Sequence, residues 1–144
     1  MTTVRHILQE KGSNVWTVPP DASVRDAVRM MDKKDIGLIV IAKGEEVVGI
    51  ISERDIARKL ILNEGSSVAT LVKDIMTHNV ITIAPEQSVD ECMALMTSKH
   101  IRHLPVMEGK RLAGLISIGD VVKATIVEKE QLIKELQNYI TGAR

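Results

Sequence analysis

The sequence predicts an α/β protein made of two βαββα units related by pseudo-two-fold symmetry. Three observations carry this: a tandem duplication at a spacing of 65 residues, an apolar pattern that switches from helical to strand-like in the same order within each copy, and a composition of 44% hydrophobic and 26% charged residues over 144 positions. Set against itself with that offset, Val15 to Lys59 aligns with Val80 to Ala124 without a gap and with thirteen identities, among them Pro20/Pro85, Ser23/Ser88, Gly49/Gly114, Ser52/Ser117 and Asp55/Asp120. Unrelated segments of that length would share about three. A weaker echo precedes each copy: Val4-Arg-His-Ile-Leu8 beside Val72-Lys-Asp-Ile-Met76, displaced by 68, so that the first copy carries about three extra residues near Gly12 to Asn14.

Within a copy, Val24, Ala27, Val28 and Met31 recur at helical spacing, as do Val89, Cys92, Met93 and Met96, so each copy has an amphipathic helix with one buried stripe. Ser23 with Asp26, and Ser88 with Glu91, are the capping signature at its start. β-Branched runs follow, Ile36 to Ile41 and Val47 to Ile51 around the turn Lys43-Gly-Glu-Glu46, then Ile101 to Val106 and Leu112 to Ile116 around Glu108-Gly-Lys-Arg111. A second helix begins near Ser52 and Ser117, and a short strand opens each unit. A unit of this size buries little surface alone, and its duplicate is the natural cover for the exposed sheet face. The predicted division is 1–68, 69–125, and a C-terminal helix over 126–144. On one long helix running from after Asp120 to about Ile140, Val122, Ile126, Ile133, Leu136 and Ile140 keep 3–4 spacing with Lys129 interrupting, which suits either a helix lying on its own domain or a self-association seam.

Composition removes several function classes. Nineteen basic residues balance nineteen acidic ones, and the only Phe/Trp/Tyr residues are Trp16 and Tyr139, which argues against nucleic-acid binding. Single Cys92 forms no intramolecular disulfide and sits in the helical stripe as a small hydrophobe rather than a nucleophile. His100 and His103 leave opposite faces of a strand, poor geometry for one metal, and neither a phosphate-cradling loop nor a dinucleotide fingerprint occurs. No catalytic residue or metal ligand is assigned, so the expectation is a non-enzyme. The short apolar runs and a start without a signal-peptide core predict a cytoplasmic protein, with no membrane partner.

The feature most suggestive of a site is Gly49-Ile-Ile-Ser-Glu-Arg-Asp55, matched by Gly114-Leu-Ile-Ser-Ile-Gly-Asp120. A strand ending there and turning into a helix aims free N–H groups and a Ser hydroxyl past the strand end, an anion site in outline. The Asp three residues on can accept two hydrogen bonds from a vicinal diol, though Ser-x-x-Asp is equally an ordinary helix cap. The second copy also places Ile101-Arg102-His103 where the first has Ile36-Gly37-Leu38, and Arg with His equips it for an anion; Arg54 offers the first copy a cation.

On these residues both units resemble CBS motifs (cystathionine beta-synthase domain), and the pair, from about Val4 to Ala124, is similar to a stand-alone Bateman module. The resemblance implies two βαββα units packed through their sheets, with clefts that bind adenosine-containing ligands: AMP or NAD first, then ADP, ATP or S-adenosylmethionine. It implies that Asp55 and Asp120 hold ribose hydroxyls and that Ser52 and Ser117 lie near phosphate. Ile101, Arg102 and His103 correspond to a phosphate-contacting stretch, and Asn14-Val15-Trp16 and Asn79-Val80-Ile81 border the adenine. Gly37 and Leu38 depart from the pattern, and Gly119 where the first unit has Arg54 makes the two sites unequal. The implied role is a regulatory sensor acting as a homodimer; the alternative is a scaffold that binds no ligand and works through dimerisation and its C-terminal helix.

Overall fold

In the computed structural model, which describes residues 1–142, the chain opens with α1 (Val4–Lys11) and the short β1 (Thr17–Val18), which leads into α2 (Val24–Lys34). The hairpin β2 (Leu38–Lys43) and β3 (Glu46–Ser52) follows, then α3 (Glu53–Asp55), which runs on as a π-helical segment, Ile56–Ile61. The order repeats as α4 (Val72–Ile75), α5 (Val89–Lys99), β4 (His103–Glu108), β5 (Arg111–Ser117) and α6 (Ile118–Thr141). Of the C-terminal helix expected over 126–144, positions 143 and 144 lie outside the described residues.

The duplicated helices start and stop by the same local chemistry. Ser23 Oγ accepts the Asp26 N–H and Ser88 Oγ accepts the Glu91 N–H, both at 3.1 Å, so each takes one orphan donor of the first turn. Each helix ends on a non-glycine left-handed residue, Asp35 (φ 53°) or His100 (φ 55°), positions that correspond in the duplication. β1 pairs in parallel with β2, and β2 antiparallel with β3, giving the order β1-β2-β3; β4 and β5 form a two-stranded sheet. The opening strand expected in the second copy is reduced to a single parallel bridge between Ile83 and Val106.

Contacts divide the chain into two units: 14–81 with 109–113, and 1–13 with 82–108 and the chain from 114. In the first, Val24, Ala27 and Met31 from α2, Ile39 and Ile41 from β2, and Ile51, Ile56 and Leu60 share one core with Val72, Ile75 and Met76 of α4. In the second, Val89, Cys92 and Met96 of α5 are buried along with Val4, Leu104, Val106, Ile116 and Val121. These compact units do not coincide with the two sequence copies, because the two echo segments each dock on the other copy. Thr3 bridges Ser88, and the Val4 and Arg5 N–H groups donate to the Gln87 and Pro85 carbonyls, both at 2.9 Å. Leu71 likewise bridges Ser23, and the Val72 N–H donates to the Ala22 carbonyl at 2.8 Å. The extended turn before each amphipathic helix leaves its backbone groups free, and the incoming segment satisfies them.

The same exchange explains the paired glycines at the start of the repeated Gly-x-x-Ser run. A Cβ on Gly49 would collide with Met76 Sδ, and one on Gly114 would stand 2.6 Å from Leu8 Cδ2. Leu8 and Met76 are equivalent in the echo, so both glycines are there to let an opening helix cross a strand. Gly114→Val should cost about 1–3 kcal/mol through overpacking, read as a lower urea midpoint with an unchanged slope. A midpoint equal to that of the parent would show that α1 does not lie on β5 in solution.

Candidate functional site

At the β5 to α6 junction Ser117 and Asp120 cap each other: Ser117 Oγ accepts the Asp120 N–H at 3.2 Å and Asp120 Oδ2 accepts the Ser117 N–H at 2.8 Å. The first copy repeats this, with Ser52 Oγ accepting from the Asp55 N–H at 3.1 Å and Asp55 Oδ2 from the Ser52 N–H at 3.0 Å. The capping reading of the duplicated Ser-x-x-Asp is thus realised in both copies. What distinguishes them is the surroundings of the carboxylates.

Asp120 lies beside α1. Lys11 Nζ sits 2.7 Å from Asp120 Oδ2 and also donates to the Leu115 carbonyl at 3.1 Å, closing an ion pair whose acidic member is 23% exposed. Asp120 and Lys11 line a cavity of about 270 Å³ between α1 and α6, together with Thr2, His6, Ile7, Glu10, Lys123, Ala124 and Val127. That volume is at the lower edge of small-molecule pockets. Burial pushes the Asp120 carboxyl up, but Lys11 and the Ser117 amide and hydroxyl outweigh it and hold it below the usual carboxylate range. Half-buried His103 is held below the usual imidazole range by burial first, then by Lys11 and Arg102, with Asp120 opposing. Lys11, Asp120 and Arg102 therefore all act electrostatically on His103. Arg102 is exposed just ahead of β4, and its carbonyl accepts the Ile118 N–H at 2.8 Å, tying the start of the strand to the start of α6. Ile101 is half-buried, and Gly119 is exposed on the first turn of α6.

Asp55 is the more enclosed carboxylate, 14% exposed, and its oxygens are taken up inside its own unit. The Ser52 hydroxyl donates to Oδ2 at 3.1 Å, Thr77 Oγ1 to Oδ1 at 3.4 Å, and Lys59 Nζ lies 3.0 Å from Oδ1. A cavity of about 430 Å³ in this unit is lined by Gly37, Glu53, Ile56 and residues of α2, but not by Asp55. Arg54 is exposed. Trp16, half out of the protein, has Lys34 Nζ 4.0 Å from its ring centre, a cation–π contact that occupies one face. Asn14 and Asn79 are exposed, while Val15, Val80 and Ile81 are half-buried.

Lys11, His6 and Lys123 were not among the residues that sequence singled out. Lys11 and Asp120 are separated by 109 positions, and no local spacing signals that approach. Lys59 was legible: it stands four residues after Asp55 on the same helical stretch, the ordinary spacing of an intrahelical ion pair. Cys92 is buried and its thiol is pushed up to about 11, mainly by burial and then by Glu91, which suits a packing residue and not a nucleophile.

Residues 4–62 and 72–126 match the CBS domain family. The chain belongs to that family. Its relatives include the mitochondrial CBS domain-containing protein CBSX3 of Arabidopsis thaliana, 40% identical over 151 residues that cover 98% of this chain and 73% of that one. The inosine-5'-monophosphate dehydrogenase of Korarchaeum cryptofilum is 38% identical over 109 residues, 75% of this chain but 22% of the enzyme. Among solved structures, a protein with CBS domains from Burkholderia ambifaria shares 50% identity at a TM-score of 0.84, covering 88% of this chain and 95% of its own. The CBS domain pair of protein MJ0100, solved with 5-methylthioadenosine and S-adenosyl-L-methionine, shares 27% at a TM-score of 0.77, covering 89% and 98%. A CBS pair is a regulatory module, and the family matched is not a catalytic one. Among the described residues no helix is long and apolar enough to cross a membrane.

The depressed carboxyl of Asp120 makes a signed prediction. A group whose folded-state value lies below its unfolded value stabilises the fold above the ordinary carboxylate range and loses that contribution as pH falls through it. Lys11→Met should lower stability at pH 7 by about 0.2–1 kcal/mol, given the partial exposure of the pair. The gap to the parent should narrow as pH falls below the ordinary carboxylate range and Asp120 is protonated. Paired denaturant titrations across that range test it; a gap independent of pH would assign the Lys11 effect to packing of its stem.

Proposed function

We propose that this CBS pair is a sensor for an adenine nucleotide, AMP or NAD, bound at the Asp120 site, and that it signals by a change of conformation or assembly as a homodimer. The observation that carries the reading is that Asp120 borders a cavity that Lys11 and Lys123 line with it, and that Lys11 pairs with its carboxylate. Its carboxylate suits the two adjacent hydroxyls of a ribose, once Lys11 releases Oδ2. Arg102, His103 and the freed Lys11 amine then supply charge for a phosphate. Ser117, Gly119 and Ile101 complete the near side of this site. The stretches 14–16 and 79–81 are proposed for the adenine, following the family pattern. The complex of MJ0100 with two adenosyl compounds supports the ligand class and keeps S-adenosylmethionine, with ADP and ATP, in the set to be screened. The role assigned to Asp55, with Ser52 and Arg54 beside it, is the weaker half of the proposal, since its oxygens already have partners. The setting proposed is the cytoplasm, where an unpaired cysteine such as Cys92 stays reduced. The reading as a ligand-free scaffold draws on one observation, the apolar face of α6 that stands exposed.

Nucleotide at about 100 times its dissociation constant should stabilise the fold by about 2.7 kcal/mol, seen as a rise in melting temperature. Asp120→Ala lowers the unliganded melting temperature through its lost cap, so the readout is the shift on adding ligand, which should vanish. No shift with any of AMP, NAD, ADP, ATP or S-adenosylmethionine would leave the scaffold.

His103 adds a second readout. Its imidazole is held below the usual range, so it is neutral at pH 7 and must take up a proton to meet a phosphate as a cation. Affinity should therefore rise as pH falls from 7.5 towards 6, with proton uptake measurable by titration in buffers of different ionisation enthalpy. His103→Gln should remove that pH dependence, whereas an identical slope in the variant would exclude His103 from the phosphate.

A further inference from the structure

Six residues of α6, Val122, Ile126, Lys129, Ile133, Leu136 and Ile140, alternate steps of four and three. On a helix of 3.6 residues per turn they fall within an arc of about 80°. Five of them are branched aliphatics, 41% to 81% exposed, along about 27 Å of helix. Val121, fully buried, anchors α6 to its own unit about a quarter turn away, so this stripe is not the face that holds the helix in place.

We propose that the stripe is a seam that pairs with the α6 of a second copy of this chain, antiparallel and centred level with residue 131. Lys129 decides the orientation. A parallel pair in register would bring Lys129 against itself in the middle of an apolar seam. The antiparallel pair sets Val122 against Ile140, Ile126 against Leu136, and Lys129 against Ile133, each twice, with the Lys129 amine next to Glu130 of the second copy. Sliding by one heptad in either direction leaves two of the five aliphatics without a partner. Burying both stripes covers on the order of 1,000 Å², the lower bound for specific association. This rests on the homodimer of the proposed function, whose contact it names, and does not depend on any nucleotide.

The test uses the full chain. Light scattering should give twice the chain mass, and Ile133→Glu, at an exposed position, should give a single chain with an unchanged circular dichroism spectrum. Under mild oxidation the double variant Ile126→Cys/Leu136→Cys should form a covalent dimer, and each single variant should not; Cys92 is buried and does not compete. A larger assembly that still forms the 126–136 link supports the seam. A wild-type monomer at the highest soluble concentration, a dimer that survives Ile133→Glu, or single variants that link as fast as the double one would each overturn it.

Discussion

Where β5 hands over to α6, backbone N–H groups at the helix start lose their intrahelical partners, and Ser117 and Asp120 settle the matter by capping each other. That exchange fixes the Asp120 carboxylate in place without using it up. Oδ2 accepts the Ser117 amide and still meets Lys11, and the group stays depressed in spite of its burial. A cap made by Ser117 alone would leave position 120 free to rotate. Because the cap is reciprocal, whatever approaches the mouth of the cavity finds a carboxylate already oriented by the strand-to-helix turn. The energetic reason for the motif is local.

The two copies diverge from this common device by what surrounds it. In the first, Thr77 and Lys59 complete the shell of Asp55, and the helix beyond it widens into a π-helical stretch in which the Leu62 N–H reaches back five residues to the Ala57 carbonyl. In the second, position 124 is alanine where the first copy has Lys59, so the i,i+4 cation is missing and the cation comes instead from α1. Arg102 adds positive charge where Gly37 adds none, and after burial and Lys11 it is part of why His103 resists protonation. The duplication preserves the cap and varies the electrostatics around it.

The elements were legible in the sequence because their causes are local. Ser23 and Ser88 cap where the periodicity begins, the hairpins turn at Gly44 and Gly109 with positive φ, and α6 starts at Ser117. Lys59 beside Asp55 is readable for the same reason. What the sequence hid is nonlocal. The echo segments pack on the opposite copy because free backbone groups ahead of α2 and α5 receive them, and nothing in the segments themselves names the acceptor. Lys11 follows from that exchange, since its place beside Asp120 exists only once α1 has crossed Gly114. The second opening strand shrank to one bridge at Ile83, a tertiary outcome that its β-branched character does not predict.

The position of Lys11 in α1 bears on how occupancy of the Asp120 site would be felt elsewhere. The helix is held at its start by buried Val4 and Ile7 and by Arg5, which pairs with Glu86 at 2.6 Å and Glu108 at 2.7 Å. At its end it is held by Lys11 alone among these contacts, and it stops at Gly12, whose φ of 96° is a conformation open to glycine and costly for other residues. A ligand that took over Asp120 would leave Lys11 with the Leu115 carbonyl alone and the anchors at the start untouched. The part of α1 that such a ligand would loosen is its last turn. A ligand can bias that segment only as far as its affinity differs between the tethered and untethered forms.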